Sequence, residues 1–435
     1  MNVYQTILEK ADAVTPEMIA LRRDFHKYAE TGWLEMRTAS IIARRLTELG
    51  YEVLIGEQVC KKDERMGVAS DAVLDAAYAR AIEQGADPEF VKATKGGFTG
   101  VIGILRCGEG PTIGMRFDID ALGVNESMDE AHLPAKEGFA SVNAGAMHAC
   151  GHDGHAASGL GVAAVLMQIK EHLHGTVKLI FQPGEEGLRG AKSIVANGHL
   201  DDVDYLFGSH TTDTGVEGSD ITPGSYGSLA SFKYDVTFHG LAAHASGNPQ
   251  LGKNALLAAA SAVTNLYAIP RHSAGASRIN VGRLIAGSGR NVIADEAFME
   301  MEVRGDTTAI NEYVNDYAMR ILENCAAMHG CTLEVKLMGA AESLTSDTQL
   351  CQRIADVCAN RLGMKVSENL TVKLGGSEDF SYMINRVQSH GGQGSFMRVR
   401  SPLAANAHNR KFDFDESYLT KAVQVFCGMT YDLLK

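Results

Sequence analysis

From residue 100 onward, apolar runs of strand length alternate with longer helical repeats. Gly100–Arg106 and Thr112–Asp118 read as paired strands joined by the turn Cys107-Gly-Glu-Gly-Pro111. A helix is predicted over His155–Leu173, then the apolar strand Val177–Gln182, then a further strand, Val203–Ser209, which His210 terminates. Strand and helix alternating in this way predict an α/β layer with a largely parallel sheet. Upstream, Thr15–Glu30 predicts a helix capped by Thr15, with Pro16 in its first turn and Met18, Ile19, Leu21 and Phe25 at helical spacing. Leu34–Leu49 predicts a second helix closed by Gly50, and Tyr51–Ile55 a strand. Residues 60–98 are polar and weakly patterned, with helical stretches at Asp71–Glu83 and Pro88–Lys95, and read as an insertion lying on the surface.

The periodicity changes after residue 230. Ser231–Phe238 places Phe232, Tyr234, Val236 and Phe238 on one face, as a half-buried strand requires. Asn254–Ile269 is an alanine-rich helix, Arg278–Ala286 and Ala297–Arg304 are strands, Thr308–Met328 is a helix and Cys331–Leu337 a strand. That βαββαβ order predicts a ferredoxin-like α+β sandwich inserted into the first domain. The expected division is a discontinuous α/β domain, residues 1–228 and 341–435, around an inserted domain of residues 229–340. Helices over Asp347–Leu362 and Glu416–Leu433 complete the first domain. Between them lie the glycine-rich Gly375-Gly-Ser-Glu-Asp-Phe380 and the polar Ala407-His-Asn409.

A length of 435 residues exceeds a single hydrophobic core, which agrees with two domains. A net charge of −13 weighs against a nucleic-acid partner, because the chain has no basic stretch to displace counterions from phosphates. The 8 cysteines form no C-x-x-C pair, which argues against a zinc ribbon or a thioredoxin-type site and suggests a reducing compartment. Met1–Ala20 holds no apolar signal core, and the longest apolar runs, near Gly159–Met167 and Ala255–Val263, are too short for a bilayer. The expectation is a cytoplasmic protein with no membrane partner.

Candidate chemistry concentrates in Met147-His-Ala-Cys-Gly-His-Asp-Gly-His155, where Cys150, His152 and His155 crowd thiol and imidazole into a few residues. Such ligands select transition metals over calcium or magnesium. The alternative is a polar loop whose histidines cap the following helix. Asp118 and Asp120 share one face at a strand end, suited either to a metal or to orienting a metal-bound histidine. Pro183-Gly-Glu-Glu-Gly187 follows a strand directly, where open α/β sheets place their sites. Because Glu185 and Glu186 diverge, one can bind metal while the other acts as a base.

Assembled, these motifs resemble the co-catalytic metal amidohydrolases and carboxypeptidases that include the auxin-conjugate and hippurate hydrolases. The resemblance is carried by Met147–His155, Phe181-Gln-Pro-Gly-Glu-Glu-Gly187, Gly240-Leu-Ala-Ala-His-Ala245 and Gly289-Arg-Asn-Val-Ile293, and it covers nearly the whole chain. The 60–98 insertion, Gly96-Gly-Phe-Thr-Gly100, Gly287-Ser-Gly-Arg-Asn291 and Lys411-Phe-Asp-Phe-Asp-Glu416 resemble the branch that cleaves aminobenzoyl-glutamate. The likeness implies a zinc-peptidase-like catalytic domain with a dimerisation lid. It implies two divalent ions, manganese foremost and zinc, cobalt or nickel also acceptable. Cys150 would bridge them, with His152, Glu186, His210 and His408 as the other ligands. Glu185 would be the general base and Asp120 the carboxylate behind a ligand histidine. His155 is not a family ligand and is expected to cap the helix it begins. His244 would polarise the scissile carbonyl, and Asn291 with Arg304 would grip a free α-carboxylate.

The implied reaction is hydrolysis of an N-acyl or aminobenzoyl amino acid, foremost aminobenzoyl-glutamate. Hippurate, indoleacetyl or N-acetyl amino acids and dipeptides are the alternatives, and the implied partner is a second copy or a homologous second chain. A metal-binding partner without activity and a cysteine hydrolase using Cys150 and His152 are the rival classes. Two departures bear on specificity. Gly184 stands where the family commonly has alanine, and Thr211-Thr-Asp213 with the longer, more acidic loop Gly215–Gly224 replaces an apolar residue and a shorter connection.

Overall fold

The computed structural model describes residues 2–213 and 218–435, so positions 215–217 of the acidic loop lie outside the described residues. The chain divides into two compact units. One comprises Met1–Tyr226, Leu344–Lys373 and Asp379–Lys435, and the other Gly227–Ser343 with Leu374–Glu378.

The first unit begins with helices α1 (Val3–Lys27) and α2 (Met36–Glu48), strand β1 (Glu52–Ile55) and helix α3 (Asp71–Glu83). Strands β2 (Val101–Arg106) and β3 (Thr112–Asp118) follow, then α4 (Leu133–Glu137), α5 (His152–Ile169), β4 (Thr176–Gln182), α6 (Ala191–Ala196), β5 (Tyr205–Thr212), β6 (Ile221–Thr222) and β7 (Gly224–Tyr226). The chain then builds the second unit from β8 (Ala230–His239), α7 (Ala255–Tyr267), β9 (Ser277–Ala286), β10 (Glu296–Gly305), α8 (Thr308–Met328) and β11 (Thr332–Ala341). It returns to the first unit with α9 (Thr348–Asn360), β12 (Thr371–Lys373), α10 (Phe380–Ser389), β13 (Gln393–Arg400) and α11 (Ser417–Leu434).

The main sheet has the order β1-β2-β4-β3-β5-β13-β6. Strands β3, β4, β5 and β13 run parallel, and β1, β2 and β6 add antiparallel edges. The sheet is thus mixed with a parallel centre, in the α/β class that the pattern predicts. Residues Gly100–Arg106 and Thr112–Asp118 do not pair with one another, however. Strand β4 lies between them, antiparallel to β2 and parallel to β3. Its run Val177–Gln182 is buried on both faces and needs a neighbour on each side.

Two further differences have physical causes. The first helix starts at Val3, capped by Asn2, and contains Pro16 instead of beginning there. Thr15 donates its hydroxyl to Ala11 O and does not cap, while Val3, Tyr4, Ile7 and Ala11 are buried together with Met18 and Phe25. Burial of that long face against α5 and α11 outweighs the missing proline N–H. His210, expected to end its strand, lies inside β5, because β13 pairs with it as far as Thr212.

The second unit is a four-stranded antiparallel sheet, β11-β8-β10-β9, carrying α7 and α8 over one core. Strands β9 and β11 are its two edges. Among the described residues, no helix is long and apolar enough to cross a membrane.

Candidate active site

Parallel strands bring their C-terminal ends to one edge of a sheet, and loops leaving that edge collect side chains from distant parts of the chain. Here β3 leads to Asp118 and Asp120, β4 to Pro183–Gly187, β5 carries His210, and the segment after β13 carries His408. Cys150 and His152 enter from the N-terminus of α5. Gly151 caps that helix at φ 92, and a Cβ there would come within 2.6 Å of Thr211 Cγ2, so the thiol and imidazole flank a turn open only to glycine.

The ligand atoms of Cys150, His152 and His210 lie within 4.8 Å of one another, as do those of Cys150, Glu186 and His408 and those of His152, Glu185 and Glu186. Cys150 Sγ is 3.3 Å from His210 Nε2, and His408 Nε2 is 3.6 Å from Glu186 Oε1. Residues 150 to 408 of the sequence therefore meet in one cluster. His408 adopts φ 68, a left-handed conformation that costs a non-glycine residue about 1–2 kcal/mol. Its N–H donates to Ala149 O at 2.7 Å, tying the residue to the Cys150 turn.

Hydrogen bonds fix which imidazole nitrogen faces the cluster. His152 Nδ1 lies 3.0 Å from Asp120 O, and His210 Nδ1 lies 2.7 Å from Thr211 O. Each carbonyl can only accept, so each Nδ1 carries a proton and Nε2 is the nitrogen turned to the cluster. Among the described residues, buried His152 Nε2 and Glu186 Oε1 make no hydrogen bond. Burial, then the charge of Glu186, pushes the Cys150 thiol well up. Burial pushes Glu186 up to about 7; His152 pulls it back and Asp120 raises it further. His210 is driven well down by burial and then by the Arg398 cation. Against burial, the charges of Asp118 and then Cys150 hold His152 well above the usual imidazole range. Thiol, carboxyl and imidazole crowded together in this way form a donor set that a divalent cation completes.

Asp120 does more than back a histidine. Its Oδ1 accepts from Glu185 N at 3.0 Å and its Oδ2 from Glu186 N at 2.9 Å, so it seats the turn that carries both glutamates. His155 does not cap a helix. The helix begins at His152, and His155 is buried with Nδ1 bonded to Asp118 Oδ1 and Nε2 accepting from Thr211 N. Asp118 also pairs with Arg116, which reaches Gln182 and Asp379. Asp118, His152 and His155 could by distance hold an ion. Arg116 already supplies the cation there, and after the cost of burial it is the first cause holding Asp118 well below the carboxylate range. Replacing Arg116 with Met leaves two buried carboxylates without that cation. The expected loss is about 3–5 kcal/mol of unfolding free energy in a denaturant titration, and a loss below about 1 kcal/mol contradicts the assignment.

The remaining predicted residues lie in the second unit. His244 is exposed, and its Nδ1 accepts from Ser246 N and Gly247 N, which leaves the proton on Nε2. Asn291 follows in the adjacent segment, where its carbonyl accepts from Ala245 N. Arg304 holds Glu302 through two bonds, of 2.9 and 2.8 Å. Asn291 and Arg304 are not a pair within one chain. Asn291 lies beyond the Glu296 end of β10 and Arg304 near the other end, a separation of at least about 26 Å along a strand.

Sequence reading missed Arg22 and Glu35. Arg22 is fully buried and joins Asp153, in the first turn of α5, to Asp413 and Glu416, on the segment after His408. A signal for it existed, since Arg22 and His26 share the buried face of α1 with Met18 and Phe25. Glu35 had none, because its partners, Thr99 and Gly184, are remote in sequence.

Residues 114–432 match the profile of Peptidase family M20/M25/M40. The indole-3-acetyl-aspartic acid hydrolase of Enterobacter agglomerans is 47% identical over 94% of each chain. One of the chains of the p-aminobenzoyl-glutamate hydrolase of Escherichia coli K12 is 44% identical over 97% of this chain and 96% of its own. Among solved structures, an aminobenzoyl-glutamate utilization protein from Klebsiella pneumoniae superposes with TM-score 0.84 at 39% identity, covering 98% of this chain and 97% of its own. The YXEP protein of Bacillus subtilis, a dinuclear metal binding peptidase, superposes with TM-score 0.66 at 28% identity, covering 97% and 99%. The chain belongs to Peptidase family M20/M25/M40. It is a metal-dependent hydrolase of amide bonds, of the amidohydrolase and carboxypeptidase class.

Proposed function

We propose that this protein hydrolyses the amide between an aromatic acyl group and an acidic amino acid, foremost p-aminobenzoyl-glutamate, giving p-aminobenzoate and glutamate. The observation that carries the proposal is the meeting of Cys150, His152, Glu186, His210 and His408 around two aimed imidazole nitrogens, with Glu185 beside them. The relatives named for indole-3-acetyl-aspartate and p-aminobenzoyl-glutamate share one substrate chemistry, a planar ring joined through a carbonyl to an amino diacid. Comparing kcat/KM over p-aminobenzoyl-glutamate, indole-3-acetyl-aspartate, hippurate and N-acetyl-amino acids tests the proposal. A preference for an N-acetyl substrate over both aromatic diacid amides contradicts it.

Cys150, as a thiolate, would hold two divalent ions together with His152, Glu186, His210 and His408. Manganese is the proposed occupant, and the mixed sulfur, nitrogen and oxygen set also suits zinc, cobalt or nickel. When bound, such ions supply Lewis acidity that acidifies water and polarises a carbonyl. Glu185 takes the proton of the attacking water and delivers it to the leaving amine nitrogen as the carbon–nitrogen bond breaks. Its backbone is pinned by Asp120, and its side chain is nearly buried, at 8% exposure, so it is poised with little freedom. His244 would reach into the site of the second chain and offer Nε2–H to the oxyanion there, and Arg304 would exchange Glu302 for the substrate carboxylate, which a guanidinium holds through two parallel bonds. The buried Cys150 thiol, pushed up and not down, is the opposite of an activated nucleophile.

A two-chain assembly, either a homodimer or a pairing with a homologous chain, would join Asn291 of one chain to Arg304 of another. Edge strand β9 exposes Leu284 and Ile285, and α7 exposes Leu256, Leu257 and Tyr267, apolar surface that favours a partner. Light scattering is expected to show a dimer of the isolated chain, and the double variant Leu257→Glu with Ile285→Lys a monomer with little activity. A fully active monomer contradicts the shared site. The 8 free cysteines fit a cytoplasmic setting.

A further inference from the structure

Residues 60–98 remain without a role in the chemistry above, yet they contact both the Trp33 side chain and the segment that follows the turn carrying Glu185. On one side of that turn, Arg189 Nη1 donates to Gly67 O at 3.4 Å, Lys192 Nζ pairs with Glu64 at 3.0 Å, and Lys61 N donates to Ser193 O at 3.2 Å. On the other side, Trp33 Nε1 donates to Met66 O at 2.7 Å, and Arg65 stacks 3.5 Å from the Phe98 ring centroid while donating to Gly96 O. At the end of the insertion, Thr99 Oγ1 donates to Glu35 Oε2 at 2.7 Å, and Glu35 Oε1 accepts from Gly184 N at 2.8 Å. Glu35 is fully buried. With Asp120 it receives three consecutive amides, those of Gly184, Glu185 and Glu186.

The backbone here is under constraint. Among the described residues, three non-glycine residues have positive φ, and two of them, Trp33 at 66 and Leu188 at 67, flank this contact. Gly184 itself has φ 60, and a Cβ on Gly32 would come within 3.1 Å of Gly184 Cα. Strained backbone persists where surrounding structure over-determines it, and such strain gathers at functional sites.

We propose that Glu35 is a positioning residue for Glu185, held in place through Thr99 by the 60–98 insertion, which serves the reaction by fixing the Gly184–Gly187 turn. The proposal rests on the reading of Glu185 as the base. Among the described residues, the Glu35 carboxylate accepts from Thr99 Oγ1 and Gly184 N, and none of its hydrogen bonds goes to the five proposed metal ligands. Displacing a catalytic group by about 1 Å costs on the order of 100-fold in rate.

The test measures kcat, KM and metal content on p-aminobenzoyl-glutamate with the full-length chain. Glu35→Ala is expected to lower kcat about 30–100-fold, with KM within about twofold and bound metal unchanged. Glu35→Gln keeps an acceptor for the Gly184 N–H and is expected to recover most of that loss. Thr99→Val, a smaller perturbation, is expected to lower kcat about 3–10-fold and decides the matter if Glu35→Ala does not fold. In a Glu185→Gln background, Glu35→Ala is expected to change the residual rate less than about twofold. Wild-type kcat in both Glu35→Ala and Thr99→Val, loss of metal in either, or an equal loss in the Glu185→Gln background overturns the proposal. Near-normal turnover by Glu185→Gln alone instead removes the base assignment, a separate failure.

Discussion

Glu185→Gln is expected to lower kcat on p-aminobenzoyl-glutamate about 1,000-fold while leaving bound metal and KM nearly unchanged. A positioned general base contributes about 100- to 10,000-fold, and the amide keeps the shape of the carboxylate while losing its basicity. The side chain is almost buried, and its N–H is held by Asp120, so substitution by an isostere disturbs the turn little. Retention of metal separates a lost base from a lost ligand. Glu186→Gln, in contrast, removes charge from a proposed ligand and is expected to lower metal affinity as well as rate. Turnover within about tenfold of wild type in Glu185→Gln would remove that residue from the mechanism.

Complete metal removal is the second large effect. Dialysis against a chelator is expected to abolish hydrolysis, and added manganese to restore it, because nothing else in the cluster activates water or a carbonyl to a comparable degree. Hydrolysis by a Cys150 nucleophile would survive the same treatment. Recovery of activity depends on pH with a definite sign. Burial pushes Glu186 up to about 7 and raises the Cys150 thiol further, so protons compete with the incoming cation. The concentration of manganese giving half-recovery is therefore expected to be higher at pH 6 than at pH 8. Equal values at the two pH values would show that neither group exchanges a proton for metal.

The site was more legible in the sequence than the framework around it. Cys150 and His152 stand close together in a glycine-spaced motif, and Glu185 with Glu186 directly follows an apolar strand, so local sequence alone brings attention to them. His210 and His408 are ordinary histidines until the sheet turns four strand ends toward one edge, and the family resemblance is what singled them out. Strand β13 carries little strand signal in its own sequence. Gln393–Arg400 carries a glycine and two arginines, and its place between β5 and β6 comes from pairing with both, which no short window reveals. Without β13 the pattern ends the preceding strand at His210, whereas pairing with β13 carries β5 on to Thr212. Pro16 misled in the opposite direction, because a strong local start signal was outweighed by burial of the preceding turns. His155 was expected at a helix cap, and its burial against Asp118 depends on Arg116, whose partners Gln182 and Asp379 come from two other parts of the chain. Local chemistry is visible in sequence, whereas buried ion networks depend on partners that only the fold supplies.

The most direct measurement is an anomalous-scattering map from crystals of the manganese-loaded protein. Two peaks are expected in each chain, with Cys150 Sγ coordinating both, and His152, Glu186, His210 and His408 sharing the rest, at about 2.0–2.4 Å. Peaks at Asp118 and His155 in their place, or a single peak that leaves Cys150 uncoordinated, would contradict the account.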